Sequence, residues 1–460
     1  MHRLAIPAHQ PLPLMAAGIA LLAALALPVD LEAQVDFASS TSDVTYAGDV
    51  AEIIQGSCTV CHRPGGIGPM NLVTYEDARR YARRIREQVA NRLMPPYYYD
   101  SDIGIQDLQH DWRLSDEEIA TVVAWVDQGA PLGDPSEMPP PPDLPDADDW
   151  SFAAELGEPD LVVRSTPIDV PADGLDLFHF PYVATGATED RCIRALQVKP
   201  RGDAKTVVHH ANSTFQMRQP DGSFERQGES GVHATEYAMG KLGELVPDGV
   251  CRVLPKDAYV RWDIHMYPGG IGSQAPGTVI EDNVVELGIW LHPVDYDYDY
   301  VQDLKLYSLP LGELILPPHG TAMTQGFLTF DHPVRIDSFQ PHGHLRLRSA
   351  SLEILYPETG RVEVISMVSN WSAIWHQSHI YGEGSAPLVP TGAVVIMKQW
   401  YDNTANNPNV TDPDFWVEYG SRTADEMSHT WIAVTHLDEE GYQQILEHRR
   451  ASAERSVTQQ

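Results

Sequence analysis

Apolar positions change their rhythm twice along the chain. After an early uninterrupted apolar run, two stretches carry helical spacing. "TYEDARRYARRIREQVANRL" (74–93) reads as one helix, and "SDEEIATVVAWVDQG" (115–129) as another. In the second, Ser115 and Glu118 have capping-box spacing and Gly129 is a stop. Ile119, Val122, Val123 and Val126 follow i, i+3, i+4, i+7, a face made to pack against something. The proline-rich, acidic "GDPSEMPPPPDLPDADD" then predicts a semi-rigid linker over 135–150. From 151 on, the rhythm shortens to runs such as "DLVVRS", "CIRALQVKP", "NVVELGIWLHP", "SASLEILYP" and "GAVVIMKQWYD", punctuated by Gly, Pro, Asp and Asn. That pattern predicts antiparallel β-structure, and the region 151–440 is too long for one sandwich of about 100 residues. Two tandem β-domains, 151–300 and 301–440, followed by a tail over 441–460, are the natural division.

The early apolar run, "LMAAGIALLAALAL" from Leu14 to Leu27, is preceded by Arg3 and followed by a small residue at Ala33. It is shorter than the roughly 20 residues of a membrane span, so residues 1–33 read as a cleaved export signal. No later segment is apolar enough to span a bilayer, so the mature chain is expected to be periplasmic or secreted, without a membrane span. Lys and Arg number 31 against 65 Asp and Glu, a formal net charge of -34. Such a surface repels phosphate backbones, which argues against nucleic acid as a partner.

Export places the four cysteines where thiols can oxidise. Cys192 and Cys251 lie far downstream, and either one bridge or two buried free thiols fits them. Cys58 and Cys61 belong to "CTVCHRP". A redox Cys-x-x-Cys would expect a thioredoxin-like strand before it and a zinc site a second ligand pair; neither is present nearby. Cys-x-x-Cys-His is instead the attachment sequence of a covalent c-type haem, with His62 as the proximal iron ligand. In "RLMPPYYY", between the two helices, Met94 is the candidate sixth ligand, with His110 and Met70 as alternatives. The segment 34–134 resembles a class I cytochrome c domain.

Histidines cluster further along. "VVHHANS" carries His209 and His210, "DIHMYPGG" carries His265, and "QPHGHLRL" carries His342 and His344. Alternate residues of a strand share a face, so His342 and His344 can reach one metal. Adjacent His209 and His210 can do so only where a strand is bulged or ending. Imidazole-rich sites suit copper or zinc, and a thioether selects Cu(I).

"TVVHHANS", "DIHMYPGG", "SFQPHGHLRL", "WYDNTANNPN" and "YGSRTADEMSHTWI", in this order, resemble the copper type II, ascorbate-dependent monooxygenases, the family of peptidylglycine α-hydroxylating and dopamine β-monooxygenases. The resemblance covers approximately residues 155–440. It implies two tandem jelly-roll-like sandwiches, each with one mononuclear copper, facing across a solvent-filled cleft. His209, His210 and His265 match the electron-transferring copper; His342, His344 and Met427 match the copper that activates dioxygen. Met427, in "DEM", is chosen over Met397 and Met323. His319, His376 and His379 lie outside the ligand motifs and read as surface or supporting histidines.

The expected fold is therefore a small all-α cytochrome c domain followed by two tandem all-β jelly-roll-like sandwich domains. The expected function is an exported copper-dependent monooxygenase that hydroxylates a C–H bond of a small organic or peptide substrate with dioxygen. Electrons would enter through the fused haem from an external donor. The alternative is a periplasmic electron-transfer or copper-binding protein without oxygenase activity.

Overall fold

The computed structural model describes residues 43–142, 146–171, 176–224, 232–237, 241–267, 277–308 and 314–458. The expected export signal, 1–33, lies outside the described residues, which all fall within one compact unit, Ser40–Gln460. Among the described residues, no helix is long and apolar enough to cross a membrane.

The two helices read from the sequence form at Tyr75–Ala90 and Asp116–Asp127, after a shorter one at Ala51–Ser57. Thr74 caps the first by accepting from the Asp77 N–H; Ser115 and Glu118 close a reciprocal capping box on the second. Ile119, Val122 and Val123 are buried as their spacing requires, joined by Trp125, whose ring lies 5.6 Å from that of Tyr46.

These helices do not close into a separate all-α domain, and the expected fold class is overturned. The chain is mostly β-sheet, and the helical segment is built into it. Tyr97 and Tyr99 sit in the core of the C-terminal β half, where the Tyr99 hydroxyl donates to the Ile105 carbonyl at 2.8 Å. Its oxygen is also 2.9 Å from Ser366 Oγ. Leu108–Gln109 then pairs, antiparallel, with Ile380 and Tyr381. Tyr97 and Tyr99 are buried in the β core and Tyr98 packs against it, so the loop after the first of these helices belongs to that core.

Nor are the β halves two independent sandwiches. One 16-stranded sheet runs Leu108–Gln109, His379–Tyr381, Val334–His342, His429–His436, Tyr300–Ser308, Val250–Leu254, Arg191–Pro200, Val285–Leu291, Leu161–Arg164 along its main path. Strand Tyr300–Ser308 joins the halves. It pairs antiparallel with His429–His436 on one side and parallel with Val250–Leu254 on the other, with Val250 opposite Tyr300 and Cys251 opposite Val301. A cut near residue 300 would leave two open strand edges, which sheets avoid. A separate four-stranded sheet, Thr321–Thr329, Val394–Asp402, Leu347–Tyr356, Arg361–Val368, covers the C-terminal core. Cys192 and Cys251 form a disulfide across Arg191–Pro200 and Val250–Leu254. The expected tail is the helix Glu439–Thr458.

Candidate metal centre

His210 and His265 face each other in register on strands Val208–Gln216 and Tyr259–Met266. The next pair is Val208 with Met266, so the register shifts and His209 is the extra residue. That bulge lets adjacent histidines turn to one side. One nitrogen from each of His209, His210 and His265 lies within 4.8 Å of the others. The His265 ring stacks on Phe178 at 4.4 Å.

Their hydrogen bonds fix which nitrogen is free. His209 Nε2 lies 2.7 Å from the Ala373 carbonyl. A carbonyl only accepts, so the proton is on Nε2 and the lone pair on Nδ1. That Nδ1 is buried without a partner, as are His210 Nδ1, His265 Nδ1 and His376 Nε2. Each orphaned buried nitrogen costs about 1–3 kcal/mol, a cost that folding alone does not explain. Burial also pulls His209 down to about 4 and holds His210 well below its ordinary value, so both are neutral, the form that ligates. The residues present fit a borderline or soft cation such as copper or zinc.

His342 ends strand Val334–His342 and His344 follows two residues on, their ring centres 5.5 Å apart and both buried. His344 Nδ1 is 3.1 Å from the Asp425 carbonyl, which leaves its Nε2 lone pair free by the same reasoning. Met427 is brought alongside by the fully buried Glu426. The Glu426 carboxylate accepts from the backbone N–H of Met427 at 2.9 Å, of Arg346 at 2.8 Å, and of His344. Burial pushes that carboxyl up to about 7. The competing methionines are placed otherwise: Met397 is in the C-terminal core and Met323 is exposed.

The two sets meet. The His210 ring centre is 5.3 Å from that of His342, so no solvent-filled cleft separates them. Two residues that the motifs did not mark are also in the cluster. His376, expected at the surface or in support, is 2% exposed, 4.8 Å from His209 and 4.7 Å from His342 between ring centres. Asp176 lies 3.5 Å from His265 Nε2, while its carboxylate accepts from the Thr423 N–H at 2.8 Å and the Thr423 hydroxyl at 3.1 Å. Asp176 thus ties the three-histidine set to the loop that leads to Met427. His379 is buried elsewhere, between Tyr97 and Tyr99, and His319 pairs with Asp414 at the surface.

The CTVCH turn is compact: the His62 N–H donates to the Cys58 carbonyl at 2.9 Å, and both thiols are free. Burial pushes Cys58 up to about 12 and Cys61 to about 11, so neither is a reactive thiolate. His62 Nδ1 donates to the Met70 carbonyl at 3.0 Å, which leaves Nε2 for a ligand. Gly68 is needed here, because a Cβ would lie 2.5 Å from His62 Nδ1. The donor set fits a covalently attached haem. Met94 stands half-buried in the loop after helix Tyr75–Ala90, and His110 stacks near Trp112 at 6.1 Å. The described contacts place neither side chain against His62; Met70 contributes its carbonyl. The turn lies on the histidine-bearing half: Lys205 Nζ donates to the Gly65 carbonyl at 2.6 Å, and Tyr237, the cross-strand neighbour of Ala211, is raised by burial and, to a lesser extent, by Cys61 beside it.

No protein-family model matches the chain, and no curated protein matches it. Among solved structures, the VP2 subviral particle of infectious bursal disease virus is 12% identical over 64% of this chain and 74% of that one, with a TM-score of 0.16. The PBSX exported protein XepA is 10% identical over 52% of this chain and 93% of its own, with a TM-score of 0.12. Likenesses this loose carry no argument about fold or function.

Proposed function

We propose that the protein is an exported copper-dependent oxidoreductase, a monooxygenase that hydroxylates a C–H bond of a small organic or peptide substrate, with electrons entering at a haem on Cys58, Cys61 and His62. The observation that carries the reading is the buried cluster of imidazoles, of which His209, His210 and His265 bring one nitrogen each within 4.8 Å of the others. His209, His210 and His265 would hold one ion, and His342, His344 and Met427 the other. Copper bound there would supply one-electron chemistry and the activation of dioxygen. The chain does the rest. Backbone carbonyls of Ala373 and Asp425 set the tautomers of His209 and His344. Glu426 fixes the backbones of Met427 and His344 by accepting from the N–H of each. Burial keeps the rings of His209, His210, His342 and His344 unprotonated. An external donor delivers electrons to the CTVCH turn, which rests on the strands that bear the first set.

One observation favours the second reading, a copper-binding or electron-transfer protein without oxygenase activity. The two sets close on each other, with His210 and His342 5.3 Å apart between ring centres and His342 and His344 buried. The test is anaerobic reduction of metal-loaded protein followed by mixing with oxygen, recording haem absorbance and copper EPR for wild type and Met427→Ala. Reoxidation of both centres in wild type, lost in the variant while the first copper remains, supports the monooxygenase. Equal behaviour of the two proteins leaves electron transfer or metal binding.

A further inference from the structure

The loop between strands Arg361–Val368 and His379–Tyr381 carries an imidazole that the ligand motifs leave unassigned. We propose that His376 is a metal ligand, binding through Nδ1 the same ion as His342. The inference rests on the copper reading above and deepens it.

The geometry is that of two ligands of one ion. His342 Nδ1 and His376 Nδ1 are 3.1 Å apart. Two imidazoles bound to a first-row cation at about 2.0–2.1 Å, near the tetrahedral angle, place their nitrogens roughly 3 Å from each other. In the metal-free chain one of these nitrogens donates to the other. An ion between them needs only that both rings carry their proton on Nε2, so no proton is lost. His376 is buried at 2% exposure while its Nε2 is left unpartnered, a cost that packing alone does not offset.

The ring is also held for the task. Trp371 packs on it at 5.1 Å between ring centres. The Trp371 indole N–H donates to the Pro341 carbonyl at 3.3 Å, and its backbone N–H to Arg348 at 2.9 Å, so the loop is fastened to both flanks of the His342–His344 turn. His379, three residues on, provides the contrast: it is equally buried but packs on Tyr97 at 5.1 Å and Tyr99 at 4.9 Å, in the C-terminal core. Burial alone therefore does not single out His376; its position does. It lies between the two sets, and its ring is 4.8 Å from that of His209 and 5.5 Å from that of His210.

The test is Cu(I) titration of the full chain against a chromophoric chelator, with Cu(II) EPR, for wild type, His376→Gln, His376→Ala and His379→Gln. Wild type and His379→Gln bind two ions. His376→Gln keeps the first ion at wild-type affinity, which also reports that it is folded, and binds the second between about 10- and 100-fold more weakly with altered nitrogen hyperfine structure. If His376→Gln binds both ions with unchanged affinity and spectrum, His376 is not a ligand, while the copper reading stands. If wild type binds no copper, the copper reading falls and this inference with it.

Discussion

The two histidine sets are assembled by different means. His209, His210 and His265 come from one pair of hydrogen-bonded strands, held by register and a single bulge. His342, His344, His376 and Met427 come from a strand end, a turn and two loops, gathered by Glu426 and Trp371. A site built on paired strands is fixed by the same bonds that fold the sheet. A site built on loops depends on side chains whose other purpose is to hold it. The first should be rigid and hard to replace in part, the second adjustable.

Acid should erase the difference, and by the largest margin. Burial lowers His209 in the first set, and His344 and His429 beside the second, to about 4, from 6.5. The unfolded chain therefore binds more protons than the folded one between pH 6.5 and about 4. Stability of the metal-free protein falls with acidification across that window, with the buried Glu426 carboxyl, raised to about 7, offsetting part of the loss. Thermal unfolding against pH checks this; loading with metal should move the loss to lower pH, and a flat profile to pH 4 would contradict the buried neutral rings.

Next in size is the covalent staple that only the first half has. Replacing Cys192 and Cys251 with serine removes a bridge spanning a separation of 59 residues, at a cost of about 4 kcal/mol in denaturant unfolding. Because Tyr300–Ser308 joins the halves, tryptophan fluorescence and circular dichroism should shift together; a lag in one would show that the halves unfold separately.

His210→Ala, in the rigid set, should weaken the first ion by roughly 100-fold or more in chelator competition, with the second ion retained. Loss of both would mean that the sets share one ion. Smallest is Asp176→Asn, which keeps one oxygen to accept from the Thr423 N–H but removes the charge beside His265, for about a tenfold loss at the first ion and none at the second.

The same contrast marks what could be read from the sequence. The HH and DIH motifs lie on paired strands, and the condition set for adjacent histidines, a bulge, is met at His209, although the grouping of the three came from the family resemblance and not from spacing. His376 and Asp176 carry no local pattern; they become neighbours of the cluster only through long-range packing. The error in fold class has a related cause. Helical periodicity at 74–93 and 115–129 reports local structure, and both helices form, but it is silent on whether their faces close on each other. Tyr97 and Tyr99, read as part of a ligand loop, are the residues that fill the β core. The parallel pairing of Val250–Leu254 with Tyr300–Ser308 is equally invisible to short-range pattern.

The docking of residues 97–109 has a kinetic consequence. A carrier on a swinging arm delivers its charge at a rate set by collision, which slows as the solvent thickens. The CTVCH turn has no such arm: Lys205 clasps Gly65, and Leu108–Gln109 is stitched to the far end of the same sheet. A haem bound there, as proposed, would stay at one distance from the histidine strands, and its exchange of electrons with copper on them should then proceed at the same speed in buffer and in concentrated sucrose.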